Sequence, residues 1–301
     1  MHNLIVIGAG PAGLTAALYA LRAGKSVLVL EKGTFGGQVT YSPKIENYPG
    51  FIQMSGAEFA DKLVEQVLAQ GADIEMETVC SVEKDGDIFK VGTDCSVHEA
   101  EAVIAAVGVK HRRLGLEGEE SLIGKGIGFC AVCDGAFYAG GTVAVIGGGN
   151  SALQEAMLLS EVCKKVYVVQ NLSFLTGEGK LVEAVTAREN IEIICDATVK
   201  SLKGTEALEG IVIDHAGTEE ALVLDGMFIA IGLVPNNGVF ESLADLKNGY
   251  LDTDESCVTR TEGFYVAGDC RTKSVRQIAT AVADGATAAL AACRYIDGKG
   301  N

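Results

Sequence analysis

Tryptophan is absent from the 301 residues, aromatic side chains make up 6 %, and 24 Lys and Arg face 40 Asp and Glu, a formal charge of −16. A chain this acidic, with no basic run, lacks the electrostatic footprint for nucleic acid. The scarcity of aromatics also removes the stacking platform on which single strands bind. No long uninterrupted hydrophobic run exists. The most apolar stretch, residues 4–21, is broken by Gly8, Gly10, Pro11 and Gly13, and it has neither a basic flank nor a cleavage site. A cytoplasmic protein that makes no use of a membrane is expected. What is abundant is glycine, 38 of 301 residues or about 13 % against a usual ~7 %, in a chain 48 % hydrophobic and long enough for two domains. Glycine at this level suits tight turns and close backbone approaches to nucleotides.

Residues 4–7 (LIVI) form a short apolar run that enters Gly8-Ala-Gly10-Pro11-Ala12-Gly13. A helical pattern follows with Leu14, Ala17, Leu18 and Leu21 on one face, then a stop at Gly24 and a second strand over 26–30 that ends in Glu31. Glu31 lies 23 residues after Gly8. This is the layout of a dinucleotide cradle: glycines admit a pyrophosphate, the helix start offers free N–H groups, and the acid accepts from a ribose hydroxyl. The layout recurs 139 residues later. Residues 142–146 form a strand, Gly147-Gly-Gly149-Asn-Ser-Ala152 the turn, and Leu153, Ala156 and Met157 begin a helix. A strand over 166–169 ends at Gln170, again 23 residues on. Each unit continues into a β-rich stretch with turn signals at Asp85-Gly86, Lys203-Gly204 and Ala216-Gly217, and closes on an apolar strand, 102–108 or 227–232. The expected fold is therefore α/β, with two Rossmann-like domains, the second inserted into the first, each with a β-meander. The expected bounds are 1–112 with 238–301, and 113–237. In the returning segment, residues 263–269 read as a strand that runs into Asp269, followed by a helix over 275–296. Asp269 suits either a ligand hydroxyl or an acid at a helix start.

Nine cysteines are no disulfide framework: the number is odd, and seven (80, 95, 163, 195, 257, 270, 293) are scattered singly, as buried small apolar residues would be. Cys130-Ala-Val-Cys133-Asp134 differs. A C-x-x-C closes a small reducible ring, and a nearby helix terminus or positive group lowers the pKa of one thiol. Zinc would need two further ligands, and among only four histidines (2, 98, 111, 215) there is no His pair and no second C-x-x-C. Redox chemistry is the better reading. Asp134 is placed to exchange a proton with the pair, unless it is a solvated loop carboxylate.

Taken in order, GAGPAG (8–13), GGQ (36–38), ENYPG (46–50), CAVCDGAFY (130–138), GGGNSALQEA (147–156), AGDC (267–270) and RQIATAVADG (276–285) resemble the low-molecular-weight thioredoxin reductases over nearly the whole chain. The resemblance implies FAD in the first domain, with contacts at Gly8, Gly10, Pro11, Ala12, Gly13, Glu31, Gly37, Gln38, Asn47, Asp269, Arg276, Gln277 and Ala279. It implies a redox-active pair in which Cys133 faces the flavin and Cys130 attacks the disulfide of thioredoxin, with Asp134 as general acid. A homodimer is implied too, as is a rotation of one domain on the other about segments near 110–116 and 233–239.

One segment departs from that family. A Rossmann unit selects its nucleotide at the end of its second strand, where an acid suits NAD and arginines suit the 2′-phosphate of NADP. The family has His-Arg-Arg there, with a further Arg close by. This chain has Gln170-Asn171-Leu172-Ser173, with no arginine from 166 to 187. The charge-assisted phosphate contacts are gone, and the second cradle reads as a degenerate pyridine-nucleotide site. In this respect the chain resembles the ferredoxin-dependent flavin thioredoxin reductases, and ferredoxin is the implied electron donor. An acidic donor meets repulsion from a charge of −16 and needs a local basic patch. Lys110, His111, Arg112 and Arg113 offer one, and Arg271, Lys273 and Arg276 another, unless they serve solubility and the flavin phosphates. Three alternatives stand beside this reading: reduction by NADH or NADPH through unusual contacts, a dithiol oxidase that passes electrons to oxygen, and a non-enzymatic flavin sensor. The oxidases tend to carry His after the second Cys, where this chain has Asp134.

Overall fold

A computed structural model of the chain describes residues 1–42 and 44–299. Pro43, within the expected 1–112, and Gly300 and Asn301, at the end of the expected 238–301, lie outside the described residues. The chain divides into two compact units, one of Met1–Lys110 and Val234–Asn301, the other of His111–Leu233.

In chain order, the first unit opens with β1 (His2–Ile7), α1 (Pro11–Arg22), β2 (Val27–Leu30), α2 (Gly56–Ala69), β3 (Asp73–Glu75), β4 (Val79–Asp85), β5 (Ile88–Thr93) and β6 (Val97–Ala105). β7 (Val109–His111) leads to the second unit. That unit contains α3 (Glu119–Leu122), β8 (Ile127–Gly128), α4 (Ala131–Asp134), β9 (Thr142–Ile146), α5 (Asn150–Val162), β10 (Lys165–Val169) and α6 (Gly179–Thr186). It continues through β11 (Ile191–Ile194), β12 (Ala197–Lys203), β13 (Gly210–His215), β14 (Thr218–Val223) and β15 (Gly226–Ile229). The return runs through β16 (Leu233–Pro235), β17 (Leu246–Lys247), β18 (Tyr250–Leu251), β19 (Phe264–Val266) and α7 (Ile278–Lys299). The last helix begins three residues later than its pattern predicts. Gln277 N–H donates to Thr280 Oγ1 at 3.1 Å and Gln277 C=O accepts the first helical bond, which leaves 275–277 outside the helix.

The first unit is built on a sheet of order β3-β2-β1-β6-β5-β4, with β19 also paired to β6. β1, β2, β3, β6 and β19 run parallel, and β4-β5-β6 form the antiparallel meander. Apart from the exposed edge strand β3, alternate residues of the parallel strands face opposite ways and are buried on both faces toward their carboxyl ends. Leu4, Val6, Val27, Val29 and Ile104 pack on α1 and α7, while Ile5, Ile7, Leu28, Leu30 and Val103 enter a second core with Phe89 and Phe264. The second unit has a parallel sheet of order β11-β10-β9-β15-β8 and a separate antiparallel meander, β12-β13-β14. Val143, Val145, Val166 and Val168 face α5. Ala144, Ile146, Met227 and Ile229 face the other way, in one core with Ile211, Ile213 and Leu222 of the meander.

The register levels the strand ends. Ile7 pairs with Leu30 and Ala105, and Ala105 with Val266; in the second unit Ile146 pairs with Val169 and Ile229. In each unit the first strand is flanked by the second on one side and the closing strand on the other. This is the switch point beyond whose carboxyl ends α/β sheets bind ligands.

The scattered cysteines require a correction. Cys163, Cys257, Cys270 and Cys293 are buried as expected, but Cys195 is half-buried and Cys80 and Cys95 are exposed. Cys80 lies at the irregularity in β4, the edge strand, and Cys95 in the turn before β6, so neither has a core to enter.

Candidate functional sites in the two units

The turn after β1 is shaped by steric exclusion. Gly8 has φ +104°, and a Cβ there would lie 2.5 Å from Ala106 O; one on Gly13 would lie 1.8 Å from Gly8 O. A side chain at either position would push the turn off the sheet end or off α1. A Cβ on Gly10, by contrast, would meet nothing closer than Gly36 O at 3.9 Å. Pro11 begins α1, where its missing N–H costs nothing. Glu31 closes the turn: Oε2 accepts from Ala9 N–H and Oε1 from Gly33 N–H, both at 2.8 Å, and each oxygen retains further acceptor capacity. Gly36 N–H donates to Ala9 C=O at 2.7 Å, which brings Gly37 against Gly10.

Asp269 reaches the same end of the sheet from a 3-10 turn after β19. Its Oδ1 is buried and has no hydrogen-bond partner. Burial pushes its carboxyl above the usual range, against the opposing pull of Lys273 and Arg276. The turn lies on α1, since a Cβ on Gly268 would meet Ala12 Cβ at 2.8 Å. Among the other expected contacts, Asn47 Nδ2 meets Gln277 Oε1 at 3.3 Å, Gln38 Nε2 donates to Val109 C=O, and Arg276 Nε donates to Asp269 C=O at 3.4 Å. Ala279 is exposed in the first turn of α7.

The second turn repeats the construction. Gly147 has φ +127°, and a Cβ there would lie 2.6 Å from Ala230 O. Gly147 N–H donates to Val169 C=O as Gly8 N–H does to Leu30 C=O, and Thr176 N–H donates to Gly148 C=O as Gly36 N–H does to Ala9 C=O. The difference lies where Glu31 has its counterpart. Gln170 is buried, its amide lies 2.7–2.8 Å from where a Cβ of Gly148 would be, and Nε2 donates to Phe174 C=O at 3.3 Å.

In the same unit Cys130 and Cys133 form a disulfide with Cα atoms 5.3 Å apart. Cys130 caps the short α4, its C=O accepting from Cys133 N–H and Asp134 N–H at 3.1 and 3.0 Å. Gly135 is buried against Leu159 of α5, so α4 is seated on that helix. Asp134 is half-buried, with Oδ2 at 3.5 Å from the Cβ position of Gly128.

Both expected basic patches change on inspection. Arg271 is 1 % exposed; its Nε and Nη2 donate to Asp284 Oδ2 and Oδ1, each at 2.9 Å. Lys273 Nζ donates to the same Oδ2 at 2.8 Å, as does Gly268 N–H at 3.0 Å. These cations neutralise an internal carboxylate and are not a surface for a partner. His111 stacks on Phe129 with centroids 4.6 Å apart. Burial, with the charge of Arg113, pushes its imidazole down to about 4, so it is neutral at pH 7. Arg113 itself lies over Phe129. Lys110 and Arg112 remain exposed. Asp284 and Gly268, which anchor the Asp269 turn, and Gly285, where a Cβ would lie 2.2 Å from Ala12 O of α1, were missed by the sequence reading although all three lie within quoted motifs.

Residues 2–285 match the family model described as pyridine nucleotide-disulphide oxidoreductase, and the chain belongs to that family. Among curated proteins it is 38 % identical over 301 residues to the 34.2 kDa protein in the rubredoxin operon of Clostridium pasteurianum, covering 99 % of this chain and 98 % of the relative. It is 36 % identical over 299 residues to the thioredoxin reductase of Treponema pallidum, covering 98 % and 97 %. Among solved structures, the thioredoxin reductase of Streptococcus pyogenes superposes with a TM-score of 0.94 at 37 % identity, covering 99 % of both chains. Within the wider family, the chain is a thioredoxin reductase-like flavin disulfide oxidoreductase. Members of this family are FAD-binding flavoproteins. The first unit fits that cofactor: its glycine cradle is closed to any Cβ at Gly8 and Gly13, and Asp269 Oδ1 is a buried acceptor lacking a donor. Among the described residues, no helix is long and apolar enough to cross a membrane.

Proposed function

We propose that this protein reduces thioredoxin through Cys130 and Cys133, with FAD held by the first unit and ferredoxin, rather than NADPH, as electron donor. The observation that carries the donor assignment is the contrast between the two cradles. In the first, Glu31 presents a carboxylate to the turn; in the second, a neutral Gln170 amide covers Gly148 and no arginine lies between 166 and 187. The second turn retains its fold, but at the end of its second strand, where the first unit has Glu31, Gln170-Asn171-Leu172-Ser173 offers no charged group for a ribose diol or a 2′-phosphate. That the Clostridium pasteurianum relative belongs to a rubredoxin operon accords with an iron-protein donor.

FAD would be held by Gly8, Gly10, Pro11, Ala12, Gly13, Glu31, Gly37, Gln38, Asn47, Asp269, Arg276, Gln277 and Ala279, and when bound it supplies two electrons for the dithiol. The chain's own residues do the rest. Two electrons and two protons convert the disulfide to two thiols, and Asp134 is the acid beside Cys133. Cys130 then attacks the thioredoxin disulfide as a thiolate, forming a mixed disulfide and releasing one thioredoxin thiol. Cys133 attacks Cys130 Sγ, which releases the second thiol and restores the Cys130–Cys133 bond. We place this activity in the cytoplasm, in a homodimer.

Anaerobic titration of the flavin absorbance with NADPH, NADH and reduced ferredoxin in turn tests the donor. Bleaching by ferredoxin alone is expected. Rapid bleaching by stoichiometric NADPH would falsify the assignment.

A further inference from the structure

Helix α5 carries an acidic residue on the side that receives the dithiol segment. α4 and the 3-10 turn Gly135–Tyr138 pack on this helix, where a Cβ on Gly135 would lie 3.1 Å from Leu159 Cδ2. Glu155 stands four residues before Leu159, on the same face. Its neighbours Ala152, Ala156 and Leu159 belong to the apolar core, and its Oε2 is buried with no hydrogen-bond partner. An unpaired buried oxygen is a cost to the fold that a leucine would remove, and such groups concentrate at functional sites.

We propose that Glu155 is a positioning residue of the dithiol centre, holding a proton beside Asp134 and resupplying that carboxyl after it has protonated a thiolate. The inference rests on the reading of Asp134 as the acid. In the relay, Asp134 gives its proton to the thiolate sulfur and becomes a carboxylate. Glu155 passes its proton to Asp134, becomes a carboxylate in turn, and recovers a proton from water. No electrons move, and the net change is the protonation of one thiolate. Burial first, and the charge of Asp134 second, raise the Glu155 carboxyl to about 8, so it carries its proton at neutral pH. Asp134 also acts on Tyr138, whose phenol is raised by burial and by that charge. The other packed elements add no buried charge: Lys180 and Glu183 of α6 are exposed, Lys165 of β10 pairs with Glu192 beside Tyr167, and β9 has no titratable residue.

The test uses holoenzyme of wild type, Glu155→Gln and Glu155→Asp, reduced with dithionite under anaerobic conditions and mixed with oxidised thioredoxin across pH 6 to 9.5. In wild type the rate of thioredoxin reduction falls as pH rises through about 8, where Glu155 loses its proton. Glu155→Gln lowers the neutral-pH rate about tenfold, less than the ~100-fold or more for loss of a direct acid, and abolishes that limb. Glu155→Asp restores a limb. Infrared difference spectra supply a readout without turnover: a carboxylic-acid C=O band that disappears above pH 8 in wild type and is missing in Glu155→Gln. A limb and a band that persist unchanged in Glu155→Gln overturn the inference. Wild type that fails to reduce thioredoxin at any pH refutes the reading of the dithiol instead, so the two failures are distinct.

Discussion

Replacing Asp284 by Asn should be among the most damaging single changes in the first unit. The carboxylate is 5 % exposed and receives four hydrogen bonds: two from Arg271, one from Lys273 and one from the Gly268 backbone. Burial pushes its carboxyl up, but the bonds from Arg271 and Lys273 outweigh this and hold it below the usual carboxylate range. An amide leaves two cations, whose side chains are 2 % and 4 % exposed, without their counter-charge. The other anionic partner of Arg271, Glu255, is 91 % exposed and offsets little. Breaking a buried pair in this way costs about 3–5 kcal/mol, and a domain of this size loses about 2–4 °C of Tm per kcal/mol, so the midpoint should fall by roughly 6–20 °C. Circular dichroism of the holoprotein measures the loss, and flavin fluorescence shows whether the Asp269 turn releases cofactor first. A triple change, Arg271→Met with Lys273→Met and Asp284→Leu, should recover most of the midpoint because it removes all three charges of this buried cluster. A single variant within about 1 kcal/mol of wild type would mean that water reaches these cations and the argument is wrong.

Cys133→Ser should retain FAD yet transfer no electrons from reduced flavin to thioredoxin; normal turnover would show that the dithiol has been misassigned. His111 gives a pH signature. Its folded-state pKa of about 4 lies below the ordinary 6.5, so its contribution to stability is complete above 6.5 and is lost as pH falls toward 4. The loss amounts to at most about 3 kcal/mol by linkage. Urea unfolding at pH 7 and 4.5 should show it diminished in His111→Phe, which keeps the ring against Phe129 but does not titrate. An identical acid loss in both proteins would assign it to another group.

Much of the fold was legible because both cradles depend on local chemistry. An apolar strand, glycines that exclude a Cβ, a helix and a closing polar residue lie within 29 residues in each unit, and a repeat of such a pattern at a fixed offset is hard to produce otherwise. The meanders were legible from Asp85-Gly86 and Ala216-Gly217, which are hairpin turns in the structure. Illegible features depend on partners distant in sequence. Asp284 is tied to Arg271 and Gly268 by the return of α7 onto α1, and Glu155 matters through α4, some twenty residues before it. The exposure of Cys80 and Cys95 was hidden for a similar reason, since only the sheet order shows that β4 is an edge.

The charge of −16 carries a different meaning once the cations are located. A basic patch read from sequence is a count of side chains, whereas a partner responds to charge that faces water. Arg271 and Lys273 are consumed by Asp284, His111 is neutral, and Arg113 lies over a ring. The proposed acidic iron–sulfur donor is left with exposed Lys110 and Arg112, and with a half-buried Arg276 that lies over Tyr250, among the residues expected to attract it, on a chain whose net charge opposes approach. Attraction over many charges gives fast association that weakens with salt; a net repulsion with so little exposed positive charge in those two patches gives the opposite trend. The donor therefore has to be held by close fit at short range rather than drawn in from a distance. Raising ionic strength should speed its encounter with this protein.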